Sequence, residues 1–255
     1  MSANERRARR RPGAPIALAV AVGLVVVTSV VGVVASPPAA ADGCGTWTRT
    51  LRNGSAGTDV HRLQIRLSGY PGYGSRLSID GVYGPATAAA VWRFQVAYGL
   101  TADGIAGPQT FRVIDRLQDD DCTPAHFSYG ELDDGCGWGG WGGGPVAAST
   151  ARTNALITMW KLEALRHALG DQPLRIASGF RSIACNRRVG GASRSRHLYG
   201  DAADIDPGPH GLCTVARRAR HHGFDGIYGP GYPNHDGHVH VDSYGISWRA
   251  PRCGI

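Results

Sequence analysis

The sequence predicts two domains: a small all-α domain of three short helices, then an α+β domain with a small antiparallel sheet. Three observations carry this. The string Asp-Gly-x-x-Gly-Pro-x-Thr at 80–87 returns at 103–110, and internal repetition of that kind marks a recurring structural unit. The stretches 202–206 and 238–242 alternate apolar and polar residues, the period of a half-buried strand. Between these regions, residues 118–146 change to Asp- and Gly-rich composition, as a connecting segment does. A chain of 255 residues can hold two small domains.

The chain opens with Arg6, Arg7, Arg9, Arg10 and Arg11, then an apolar stretch from 16 to 35, then Pro37-Pro38-Ala39-Ala40-Ala41. A basic start, an apolar middle and a small-residue end describe a secretory signal peptide over 1–41. The stretch could also span a bilayer uncleaved; the alanine-rich site favours cleavage near Ala41. The arginine pairs also permit a twin-arginine route. The net charge of +7 invites a nucleic-acid reading. Without the leader, 22 basic residues face 19 acidic ones, and the remaining arginines are scattered. No stripe for a phosphate backbone is left. Lys161 is the sole lysine. The six cysteines contain no Cys-x-x-Cys pair, so an exported chain with an even count points to three disulfides. Sequential pairing, Cys44–Cys122, Cys136–Cys185 and Cys213–Cys253, is the working expectation, one of 15 connectivities.

In the first domain, assigned to 42–122, Gly54, Gly57, Val60, Leu63, Gln64 and Leu67 mark one amphipathic helix. After each Gly-Pro stop, a Thr opens a further helical run; Ala88, Val91, Trp92 and Gln95 share one phase, with Phe94 alongside. Residues 123–146 form a linker and the start of the second domain. Asp119-Asp120-Asp121 reads as a solvated run, and the Gly-rich segment as flexible. Trp138 and Trp141 are costly to leave in water, so part of the segment should pack. A helix from Ser149 to Leu169 follows, with Leu156, Met159, Trp160 and Leu165 on its apolar face.

The second domain, 147–255, concentrates the chemistry. Nine of ten histidines follow residue 120. On a strand, His238, His240 and Asp242 face one side, while Val239 and Val241 face the other. Ala202, Asp204 and Asp206 likewise share a face, and an Asp among alanines needs a partner. His197 precedes a His-x-x-Gly turn and can approach that strand. Two imidazoles and one carboxylate make an open zinc set that leaves a fourth position for water. Any one histidine alone more often has a structural role. Asp206 and Asp242 read as groups that orient ligands, and His221 and His222 as surface residues at a helix end.

Two resemblances sharpen this. The first domain, with Gly-x-x-Gly-x-x-Val-x-x-Leu-Gln, Asp-Gly-x-x-Gly-Pro-x-Thr and Phe94-Gln95, resembles the peptidoglycan-binding domain attached to many cell-wall hydrolases. That implies a wall-polymer partner; Tyr83 and Asp80 are weak ligand candidates. The second carries Ser195-Arg196-His197-Leu198-Tyr199-Gly200-Asp201-Ala202-Ala203-Asp204, an upstream Ser178-Gly179-Phe180-Arg181-Ser182 and a terminal His238-Val239-His240. It resembles the zinc D-alanyl-D-alanine peptidases. The resemblance implies one Zn2+ per chain on His197, Asp204 and His240, with Arg181 binding the substrate and stabilising charge. Many relatives carry Glu three residues before the last His ligand; Gly237 stands there here. The general base must come from elsewhere: His238 first, His235 second, Asp236 as a further candidate. No Ser-x-x-Lys or Lys-Thr-Gly motif is present, so chelators rather than penicillins should inhibit. The expectation is a secreted, wall-associated, monomeric carboxypeptidase acting on peptidoglycan stem peptides, with no nucleic-acid partner and no membrane contact after leader removal. Two alternatives stay open. One is an endopeptidase on cross-links or L-Ala-D-Glu bonds. The other is a non-catalytic wall-binding protein whose structural zinc takes His238 or His235 as a fourth ligand.

Overall fold

Glycine and proline set the helix starts of the first domain. In the computed structural model, which describes residues 44–133, 136 and 139–255, α1 spans Thr58–Arg66, α2 Pro85–Ala97 and α3 Pro108–Arg116. The signal-peptide reading of 1–41 and the expected packing of Trp138 lie outside the described residues. Gly84-Pro85 and Gly107-Pro108 place proline at the first helical turn, where its missing N–H costs nothing and its fixed φ suits a helix. The repeat is explained by two buried glutamines. Gln64 donates to Asp80 Oδ1 at 2.8 Å, Val82 O at 3.0 Å and Thr87 Oγ1 at 3.2 Å, and accepts from the N–H groups of Asp80 and Gly81. Gln95 makes the same five bonds to Asp103, Ile105, Thr110 and Gly104. Each Asp-Gly-x-x-Gly-Pro-x-Thr string is therefore a socket for the preceding helix's glutamine. Tyr83 and Asp80 both belong to this framework: Tyr83 is buried with its hydroxyl on Gly104 O, and the Asp80 carboxylate holds Gln64 and the Val82 N–H.

The second domain starts with a capping box at Ser128 and Glu131 on α4, Tyr129–Leu132, which satisfies two otherwise orphaned donors. The long α5, Ala148–Ala168, crosses behind the sheet. Strand β1 (Arg175–Ser178) leads to α6 (Ile183–Arg188), a 3-10 turn at Arg196–Tyr199, β2 (Ala202–Asp206), α7 (Leu212–Ala219), β3 (Gly226–Tyr228), β4 (Val239–Asp242) and β5 (Ser247–Arg249). The sheet order is β1-β2-β4-β3-β5. It is mixed, which corrects the expected antiparallel sheet: β5 pairs with β3 in parallel. β4 is already paired on both edges, with β2 and β3. The chain reverses after β4 and adds at the free edge of β3, which itself runs against β4; two reversals make β5 parallel to β3. The apolar face of the sheet, with Ala203, Ile205, Val239, Val241 and Ile227, packs on Leu156, Met159 and Leu162 of α5. Among the described residues, no helix is long and apolar enough to cross a membrane.

The connecting segment is more ordered than its composition predicts. Gln118 and Pro124 bridge, Phe127 and Leu132 are buried, and Trp141 packs 5.6 Å from Phe180 and 5.8 Å from Tyr129. Disulfides Cys44–Cys122, Cys136–Cys185 and Cys213–Cys253 join consecutive cysteines. α5 also touches the first domain. Ala164 belongs to that domain's core, and a Cβ on Gly69 would stand 2.4 Å from the Ala164 methyl, so only glycine permits this approach. His222 is a correction. It is buried, with Nδ1 2.8 Å from Gly69 O, and lies between the domains rather than at the surface.

Candidate metal centre

The β2–β4 register sets Asp204 opposite His240, and both side chains emerge on the face away from α5, because Ala203, Ile205, Val239 and Val241 occupy the other. His197 comes from the 3-10 turn, which ends at Gly200 with φ 78°. A Cβ there would stand 2.3 Å from Ala151 O, so a side chain would push the turn off α5. The three side chains meet. His197 Nε2 lies 3.2 Å from Asp204 Oδ1 and 3.1 Å from His240 Nδ1, and His240 Nδ1 lies 3.0 Å from Asp204 Oδ1. All three residues are buried.

The outward atoms determine what the inward atoms can do. His197 Nδ1 donates to Gly179 O at 2.6 Å, and His240 Nε2 donates to Asp242 Oδ2 at 3.1 Å. In the neutral imidazoles this leaves lone pairs on His197 Nε2 and His240 Nδ1, facing a carboxylate oxygen. Three lone pairs this close repel unless a cation stands among them. Ligand atoms around a tetrahedral zinc stand about 3.3 Å apart, which these separations match closely. Second partners on both imidazoles are also what metal-binding histidines need to hold tautomer and ring orientation. The set therefore fits a metal ion, and among the described residues it is the one such cluster. Without an ion, electrostatics puts a proton there. Burial depresses His240, but Asp204 and Asp242 outweigh it and raise it to about 9. Burial lowers His197. Burial would raise Asp204, yet the two imidazoles hold it far below the usual carboxylate range.

Arg181 follows β1 and sits at the rim. Its Nε donates to Ser178 Oγ at 2.8 Å and its Nη2 to Asp204 Oδ2 at 2.6 Å; Nη1 has no protein partner among the described residues. His238 Nε2 lies 3.7 Å from Asp204 Oδ1, with the side chain 27% exposed. His235 stands behind it, ring centroids 4.8 Å apart. Its Nδ1 donates to Pro233 O at 2.7 Å, leaving Nε2 as an acceptor, and burial lowers its pKa. Asp236 is not brought to the cluster. It accepts from Gly231 N at 2.7 Å and pairs with Arg252 at 3.1 Å. The sequence reading missed Ser178 as the seat of Arg181, although the Ser178-to-Ser182 string contains it. It also missed Tyr228, which the register puts beside His240 at 5.5 Å; a lone tyrosine on a short strand carries no such signal.

Comparison with known proteins decides the family. Residues 125–242 match the Peptidase M15 family, and residues 56–114 match the putative peptidoglycan binding domain. The chain is 60% identical over 217 residues, 85% of this chain and 84% of the other, to the zinc D-Ala-D-Ala carboxypeptidase of Streptomyces albus G. The chain belongs to the M15 peptidase family. The chain is also similar in part to a probable N-acetylmuramoyl-L-alanine amidase of Bacillus licheniformis, 42% identical over 86 residues, 30% of this chain and 24% of that one. A peptidoglycan-binding protein of Clostridioides difficile of known structure is 42% identical over 28% of this chain and 42% of its own, with a TM-score of 0.25. In this M15 peptidase the cluster of His197, Asp204 and His240 lies within the matched region, as do Arg181, His235 and His238.

Proposed function

We propose that the chain is an exported, wall-bound zinc D-Ala-D-Ala carboxypeptidase that removes the terminal D-Ala from peptidoglycan stem peptides. Residues 1–41 act as the leader, 42–122 bind the wall, 123–146 connect, and 147–255 form the peptidase domain. The observation that carries the reading is the set of three buried lone pairs on His197, Asp204 and His240, with Arg181 at the rim. These three residues hold zinc; when bound, it supplies Lewis acidity that polarises a carbonyl and acidifies water.

The other steps belong to side chains. Arg181 offers its free Nη1 to the terminal carboxylate or the developing oxyanion, while Ser178 and Asp204 hold the guanidinium plane; a planar fork suits a carboxylate better than an ammonium does. His238, nearest the cluster, accepts the proton of the attacking water. The water oxygen adds to the carbonyl carbon, the C–N bond breaks, and the same proton passes to the leaving amine of D-Ala. His235 is the second choice for this role, its Nε2 left basic by the Pro233 carbonyl. The test is hydrolysis of a D-Ala-D-Ala-terminated peptide with and without chelator. Release of D-Ala that stops on chelation and returns with zinc is expected; undiminished release from exhaustively metal-free protein would reject the reading.

A further inference from the structure

A second feature lies on the seam between the domains, outside the metal centre. A groove of about 460 Å³ runs between α2 of the first domain and α5 and α7 of the second. Arg93, Arg218 and His221 stand around it, and no Asp or Glu lines it. His167 also reaches it, but its Nδ1 is already taken by Asp171 Oδ1 at 3.0 Å. The side chains of Arg93 and Arg218 have no hydrogen bond or ion pair among the described residues. Among the half-buried or buried arginines, Arg166, Arg181 and Arg196 each face a carboxylate. Arg93 is itself half-buried, held against Gly72 so closely that a Cβ there would meet its guanidinium at 3.0 Å. A partly desolvated cation without a counter-charge favours an anionic ligand. Burial lowers the His221 pKa, and the neighbouring Arg218 and Arg220 lower it further.

The groove is built rather than left over. Gly72 and His222 form a bridge across the seam, Gly74 N donates to Arg220 O at 2.9 Å, and His222 holds Gly69 O at 2.8 Å. These bonds fix the 69–75 loop to the end of α7, and so fix the rim cations relative to one another. Tyr73, 55% exposed, stands at the same edge, its ring propped by Trp248 at 5.3 Å and Arg220 at 5.4 Å. An exposed ring beside a cationic groove suits a sugar that carries an oxyanion.

We propose that this seam groove binds an oxyanion, carboxylate or phosphate, of the wall polymer, so that both domains contribute to wall binding. The proposal rests on the reading of the chain as a wall-acting enzyme. The experiment is sedimentation of the full chain with purified cell walls, either intact or acid-stripped of phosphodiester polymers. It compares the wild type, Arg93→Gln/Arg218→Gln, and a charge-matched control, Arg175→Gln/Arg187→Gln. The groove variant should bind about tenfold more weakly, with unchanged melting temperature and unchanged hydrolysis of a soluble D-Ala-D-Ala peptide. Loss on intact walls alone identifies phosphate; loss on both preparations identifies a peptidoglycan carboxylate. Wild-type binding by the groove variant, or equal loss in the control, overturns the proposal. A wild type that binds walls through the groove but never cleaves the peptide would refute the enzymatic reading and not the groove.

Discussion

At the scale of single residues, Asp242 separates orientation from ligation. It touches no lone pair of the cluster, yet it holds His240 Nε2 and thereby aims Nδ1 inward. Asp242→Asn should weaken zinc binding by about 10- to 100-fold, read by competition with a chromophoric chelator, while the fold survives. His238→Ala should keep its zinc and lose about 10²- to 10⁴-fold in kcat, with KM little changed. If His235→Ala shows the larger loss instead, the two roles exchange. Arg181→Lys keeps the charge but loses the fork that spans Ser178 and Asp204; steady-state kinetics should show most activity gone, and a near-normal rate would remove Arg181 from the site. The placement of these side chains was legible beforehand because the alternation in 202–206 and 238–242 puts carboxylate and imidazoles on one face whatever surrounds them. The fate of Asp236 was not. Its neighbours in sequence suggested the site, but Arg252, beyond β5, pairs with its carboxylate.

At the scale of elements, the two glutamine sockets are the economy of the first domain. Each ties a helix to the following turn through five hydrogen bonds made by one side chain. Gln95→Ala would strand the buried Gly104 N–H and its neighbours, so calorimetry should show a loss of about 1–3 kcal/mol. A change under ~0.5 kcal/mol would mean that water replaces the socket without cost. The repeat showed in the sequence that something recurs at 80–87 and 103–110; its partner glutamines, Gln64 and Gln95, sit 16 and 8 residues before the Asp they bind, and unequal spacings hide a shared role. The mixed sheet was hidden for a related reason. A three-residue strand such as β5 carries no directional signal; its direction follows from which edge is free.

At the scale of the molecule, the seam makes stability pH-dependent. His222 is buried between the domains, and burial lowers its pKa to about 4. The folded value lies below the unfolded one, about 6.5, so folding favours the neutral ring. Its contribution is complete above pH ~6.5 and is lost as the pH falls from there through about 4. The melting temperature of the wild type should therefore fall over that window, and His222→Gln should flatten the slope. An unchanged slope would mean that the seam opens before the ring takes a proton. Arg76 reaches Asp225 across the same seam at 3.0 Å, so the first domain is docked on the elements that carry the site rather than tethered beside them.

By itself, the order of residues determined which chemistry this protein holds: the donor types, their faces on two strands, the repeat and the cysteine order are local or periodic properties. Tertiary structure alone decided which histidines meet, which carboxylate is spent elsewhere, that β5 runs parallel, and that a cationic groove opens where two domains join. Those outcomes depend on contacts between residues far apart in the chain, and such contacts are set by packing, which leaves no period to read.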